Sequence, residues 1–149
     1  MKKTTLLKWL YIFELTAPVF YRMKSRFIKD SEEKKLFIHF EESELPHSPE
    51  IKAFLREQYN MGVFPIPGFL IEWGAAISSF IIALFGKKVI YYFEYLFEKE
   101  AVQSYSNLVK NNPDDIPLQE FAGRLRDEEQ VHLDYFMERL GMKKKESSS

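Results

Sequence analysis

One arrangement of side chains occurs twice in this chain and restricts the folds open to it. Glu14 is followed by Glu44 with His47, and Glu98 is followed by Glu129 with His132. In both pairs the histidine stands three places after the glutamate. On a helix each Glu-x-x-His therefore offers a carboxylate and an imidazole from one face. A lone Glu, a Glu-x-x-His, a lone Glu and a Glu-x-x-His, each on its own helix, is the donor set with which a four-helix bundle holds two metal ions. The chain must then supply four helices whose inward faces meet at one height.

The apolar pattern supplies them. Leu6, Leu7, Leu10, Phe13, Ala17 and Phe20 recur at helical spacing and predict a first helix over about 5–28. Pro18 is expected to kink it or to sit against a tolerated gap. Asp30 with Glu33 resembles a capping box and opens a second helix, expected to reach about Tyr59 with interruptions at Pro46 and Pro49. Gly62, Pro65, Pro67 and Gly68 form a break, and an apolar run from Phe69 to Phe85 follows, interrupted by Glu72. Gly86 ends that run, and a long helix is expected from about Lys87 to Lys110. Asn111-Asn112-Pro113 stops it. Asp115 and Pro117 open a last helix, and Gly141 closes it. No strand signal appears.

The layout places the four carboxylates consistently. Glu14 lies 15 residues before Lys29 and Glu44 lies 15 after it; Glu98 lies 15 before Pro113 and Glu129 lies 15 after Asp114. At the helical rise all four sit roughly 22 Å from their turns. The expected fold is all-α: a ferritin-like four-helix bundle of two antiparallel hairpins with an apolar helical crossover insert at about 61–86. It occupies 1–142 as a single domain, with a polar, disordered tail at 143–149.

Composition narrows the function classes. The formal charge of −1 gives no reason to expect a nucleic-acid partner. With 0 cysteines, disulfides, Fe–S clusters, thiolate zinc sites and cysteine nucleophiles are excluded, which suits a reducing compartment. Met1-Lys2-Lys3 with Leu6 and Leu7 has a trace of a signal peptide, but Lys8 and Glu14 break the apolar run, and the segment reads as the start of a helix.

One imidazole per metal and four carboxylates suit iron or manganese. Two divalent ions bring four positive charges against four negative ones, which makes buried carboxylates tolerable. Two of the 3 histidines follow a glutamate at this spacing, a coincidence expected in roughly one such chain in 30. The matched heights of the lone glutamates argue against coincidence. His39 has Leu36 three places before it and is left out as a packed or surface histidine.

Several of these residues resemble the demethoxyubiquinone hydroxylase family of ferritin-like proteins, which act in ubiquinone biosynthesis. Arg126-Asp127-Glu128-Glu129-Gln130-Val131-His132-Leu133-Asp134 is similar to the family's last-helix metal motif. Gly86-Lys87 precedes Glu98 at a similar spacing, with Tyr105 further along that helix. Pro65-x-Pro67 and Trp73-Gly74 are similar to the apolar insert before it. The resemblance implies two iron ions (manganese possible) held by Glu14, Glu44, His47, Glu98, Glu129 and His132, which would also be the catalytic set. Glu44 and Glu129 would bridge, Glu14 and Glu98 would be mainly terminal ligands, and Asp127 or Glu128 would orient a histidine. It implies a membrane-peripheral di-iron monooxygenase that hydroxylates a quinone-like lipid ring with dioxygen. Electrons would come from an external donor. The protein would be cytoplasmic, peripheral on the inner membrane, with its oligomeric state open. Two rivals are iron or peroxide handling of the ferritin or rubrerythrin kind, and a metal-free, non-catalytic bundle.

Residues 63–85 number 23, nominally enough to cross a bilayer, but Pro65, Pro67, Gly68, Glu72 and Gly74 leave about 11 clean residues from Ala75 to Phe85. The segment is expected to be either a buried crossover or a helix lying in the membrane interface, with Trp73 and Lys87-Lys88 at headgroup level. Tyr91, Tyr92, Phe93, Tyr95 and Phe97 would either line a tunnel for an isoprenoid tail or serve as packing.

Overall fold

The computed structural model describes residues 2–142, and the tail expected at 143–149 lies outside the described residues. Among those residues are six α-helices and no strand. They group into two compact units, one ending at Phe85 and one beginning at Gly86.

The first unit holds α1 (Lys3–Ser25), α2 (Ser31–Glu44), α3 (His47–Tyr59) and α4 (Gly68–Leu84), with α1 packed against each of the other three. Leu7, Leu10, Glu14, Ala17, Tyr21 and Lys24 are the buried stripe of α1, at spacings of three and four that keep them on one face. Tyr21 meets Phe37 edge-on with ring centroids 5.7 Å apart and Phe40 at 5.4 Å. Ile51 and Leu55 complete the apolar interior from α3. The Lys3 ammonium lies 4.8 Å from the centre of the Tyr59 ring, so the start of α1 adjoins the end of α3. That contact makes α1 and the α2–α3 pair antiparallel. α1 ends at Ser25, earlier than about 28 as expected, and Arg26 to Asp30 make the turn. Asp30 caps α2 by accepting from the backbone N–H groups of Glu32 at 3.0 Å and Glu33 at 2.9 Å.

The second expected helix does not run unbroken to Tyr59. It divides at Leu45-Pro46 into α2 and α3. Proline has no N–H, so Pro46 and Pro49 remove the bonds that would have reached the carbonyls of residues 42 and 45. The chain nevertheless stays in right-handed helical dihedrals, with φ −53°, ψ −37° at Leu45 and φ −76°, ψ −23° at Pro46. The direction of the helix is kept while its ladder is interrupted.

α4 turns small side chains inward and large ones outward. Ala75 and Ser79 are buried, one turn apart, whereas Phe69, Leu70, Trp73, Ile77, Phe80, Ile81 and Leu84 are at least half exposed. Arg22 of α1 is 3.2 Å from the Glu72 carboxylate, a partly exposed ion pair on the same unit. At 17 residues α4 falls short of a span, and no helix among the described residues is long and apolar enough to cross a membrane.

The second unit is a hairpin of α5 (Lys87–Asn111) and α6 (Ile116–Arg139). Gly86 precedes α5 with φ +89°, a conformation that a side chain would strain. At the turn, Asp115 caps α6 by accepting from the Leu118 N–H at 3.3 Å. The Gln119 side-chain amide donates to the Asn112 carbonyl at 2.8 Å and also to that of Val109. Gly141, at φ +69°, follows the end of α6. Tyr91 near the start of α5 meets Phe136 near the end of α6, ring centroids 6.1 Å apart, which confirms the antiparallel pairing.

Candidate metal centre

Each unit carries one copy of the repeated donor pattern. In the first, Glu14 sits on the buried stripe of α1 between Leu10 and Ala17. Glu44 is the last residue of α2, and His47 is the first of α3. The expectation that Glu44 and His47 share one continuous helix is corrected, because the break falls between them. Their proximity survives because Leu45 and Pro46 keep helical dihedrals. His47 Nδ1 lies 3.2 Å from Glu44 Oε2 and 3.4 Å from Glu14 Oε2, both within hydrogen-bond reach. All three side chains are about 1% exposed.

In the second unit Glu98 lies near the middle of α5, and Glu129 and His132 lie one turn apart on the unbroken α6. His132 Nδ1 is 3.8 Å from Glu98 Oε2 and 3.7 Å from Glu129 Oε2. These are ion-pair distances rather than hydrogen bonds. Glu98 and Glu129 are as buried as their counterparts, and His132 is nearly so.

The two triples thus have one design: two carboxylates and one imidazole, buried, with a donor atom from each residue within 4.8 Å of the others in its triple. Hard carboxylate oxygens with a single imidazole suit iron or manganese, and nothing in either triple favours a thiophilic metal. The buried Glu and His groups of each unit can hold a metal ion. Without cations, clustered buried carboxylates carry a large desolvation cost.

Other expectations fare differently. Asp127 and Glu128 stand on the surface of α6, where Asp127 accepts from Arg126 at 2.7 Å and Glu128 from Arg124 at 3.0 Å. Glu128 stands four places before His132 on α6, the spacing of neighbours on one helix face, and Asp127 stands five places before it. Each forms an arginine pair there. His39 is exposed, as befits a residue outside the pattern. On α5, Tyr91 is buried, Phe93, Tyr95 and Phe97 are half-buried and Tyr92 is exposed, so these rings do not share one environment.

Among the described residues, one lysine and two glutamates outside the repeated pattern are also buried: Lys24, Glu33 and Glu94. Glu94 had a legible signal, because it precedes Glu98 by one turn on the same face of α5. Lys24 lies on the Leu7–Tyr21 stripe, with its ammonium 4.9 Å from the centre of the Phe20 ring. Periodicity alone would have placed it inside.

No protein-family model, characterised protein or solved structure matches the chain.

Proposed function

We propose that the two triples act together as one dinuclear centre, inside a ferritin-like four-helix bundle made by α1, the α2–α3 pair, α5 and α6. On this reading the protein is an oxygen-dependent hydroxylase of a quinone-like lipid that works at a membrane surface with an external electron donor. The observation that carries the proposal is the equivalence of the two triples: the same residue types, in the same order, on antiparallel helices, and all buried. Two divalent cations would balance the four carboxylates and remove the cost of burying them.

Glu14, Glu44 and His47 would hold one ion, and Glu98, Glu129 and His132 the other. Iron is the better fit to the proposed chemistry, and manganese shares its ligand preference. When bound, ferrous iron supplies the electrons that activate dioxygen for hydroxylation. The chain contributes the rest. The six donors fix positions for charge, and their burial keeps bulk water from the reacting groups. The outward aromatic and aliphatic face of α4 favours the interfacial alternative over a buried crossover, with Trp73 at headgroup depth. The quinone ring as substrate class rests on the resemblance of the last helix to demethoxyubiquinone hydroxylases.

Elemental analysis after anaerobic reconstitution tests the centre, and two iron or manganese ions per chain are expected. Fewer than one would remove it. The quinone pool of a strain lacking the gene tests the substrate, and a precursor short of one ring hydroxylation is expected to accumulate. An unchanged pool alongside full metal loading would remove the quinone and leave the centre standing.

A further inference from the structure

The two triples share a design but not a scaffold. Every proline that weakens a donor-bearing helix belongs to the first. Pro18 stands four places after Glu14, so the Glu14 carbonyl has no helical N–H to accept from. Pro46 lies between Glu44 and His47, and Pro49 lies two places after His47. Glu44 and His47 therefore sit on separate helices, α2 and α3, whose junction has lost two ladder bonds. Glu98 lies within a helix of 25 residues, and Glu129 and His132 within one of 24, with Pro117 confined to the first turn of the latter.

The donors differ in the same sense. His47 is already engaged by two carboxylate oxygens at 3.2 and 3.4 Å, so a cation must displace two buried contacts to bind there. His132 Nδ1 stands farther from its two carboxylates, at ion-pair distances of 3.7 and 3.8 Å. The closer spacing of the first triple points the other way, since metal-bound donors approach one another closely. A closure of about 0.5 Å in the second triple is within ordinary thermal displacement and needs no backbone change.

We infer that the two metal ions bind in a fixed order: the triple Glu98, Glu129 and His132 fills first and more tightly, and the proline-interrupted triple Glu14, Glu44 and His47 is the weaker, adaptable second site. This rests on the proposal that both triples are metal sites. Ligands on unbroken helices are held near their bound positions beforehand, so less ordering is charged against binding. Ligands on an interrupted scaffold can shift more readily, which suits the side of a centre where coordination must change.

Anaerobic titration of the full chain with Mn(II) alone tests the order, with calorimetry and the electron paramagnetic resonance of free Mn(II) as readouts. The wild type is expected to bind in two steps separated by about tenfold or more, the range over which supporting structure alters metal affinity. His47→Ala should keep the tight step and lose the weak one, and His132→Ala should lose the tight step. Circular dichroism checks that each variant stays helical. The double variant Pro46→Ala/Pro49→Ala restores two backbone donors at helical dihedrals, and should tighten the weak step and narrow the gap. A tight step that is lost in His47→Ala and kept in His132→Ala overturns the order, as does an unchanged gap in the proline variant. In either case two bound ions in the wild type would leave the dinuclear centre intact. No Mn(II) bound by the wild type would overturn both the order and the centre.

Discussion

Glu98→Gln separates the cost of the clustered carboxylates from their use. The substitution keeps the size and shape of a side chain that is 1% exposed and removes one negative charge. The donor oxygens of Glu98 and Glu129 lie within 4.8 Å of one another. Two unit charges at that distance repel by about 3.5 kcal/mol at an effective dielectric constant of about 20. Side-chain rearrangement and water relieve part of this, so the metal-free variant should be more stable than the metal-free wild type by about 1–3 kcal/mol. Each kcal/mol corresponds to about 2–4 °C of Tm in a chain of this length. With metal the sign reverses. An ion present at a hundred times its Kd stabilises the wild type by about 2.7 kcal/mol. A neutral amide is a poorer donor and offers no charge to the cation, so the variant should lose most of that gain. Urea unfolding of both proteins, in a chelator and in excess Mn(II), gives the four free energies needed. A metal-free variant less stable than the wild type would mean that Glu98 is a structural hydrogen-bond acceptor rather than a crowded charge. Equal metal-induced gains in both proteins would mean that Glu98 is no ligand.

Three further outcomes are expected. Asp30→Ala removes the cap that two N–H groups of α2 share, and should lower the unfolding free energy by about 1 kcal/mol in urea titrations. Trp73→Ser combined with Phe80→Ser strips two outward rings from α4, each worth about 1.5–3 kcal/mol when buried in an apolar phase. Cosedimentation with anionic vesicles should fall at least tenfold while Tm changes little, and undiminished vesicle binding would exclude α4 as the contact. His39→Ala should leave metal stoichiometry unchanged, since this imidazole is exposed and outside both triples; a lost equivalent in elemental analysis would contradict the assignment.

Much of the helical layout was legible because local chemistry decides it. Asp30 and Asp115 sit where a side-chain acceptor meets orphan N–H groups, and Gly86 and Gly141 sit where the backbone turns left-handed. The break inside the second helix was less legible, because a proline marks a missing bond without saying whether the dihedrals depart as well. At Leu45 and Pro46 they do not, which is why the Glu44–His47 pair survives an interruption that splits the helix carrying it. Within each unit the structure brings together the three donors that the spacing selects. The burial of Lys24, Glu33 and Glu94 is less legible, because residue type alone points a charged side chain to the surface, whereas position on the buried face decides the outcome. The apolar run at 69–85 announced a helix but not its facing, since a segment apolar on all sides carries no periodic signal to orient it.

α4 is built inside out, with alanine and serine against its own unit and its bulk turned away. The usual division of labour between positions is therefore inverted along it. Exchanging Ile77 or Leu84 for a polar residue would disturb almost no packing and would pass unnoticed in a thermal screen, yet such positions govern whether molecules stay dispersed or cling to one another and to apolar phases. Enlarging Ala75 or Ser79, modest as the change looks on paper, would wedge the helix from its seat. Selection acting on this segment would be felt first as colloidal behaviour and only afterwards as folding.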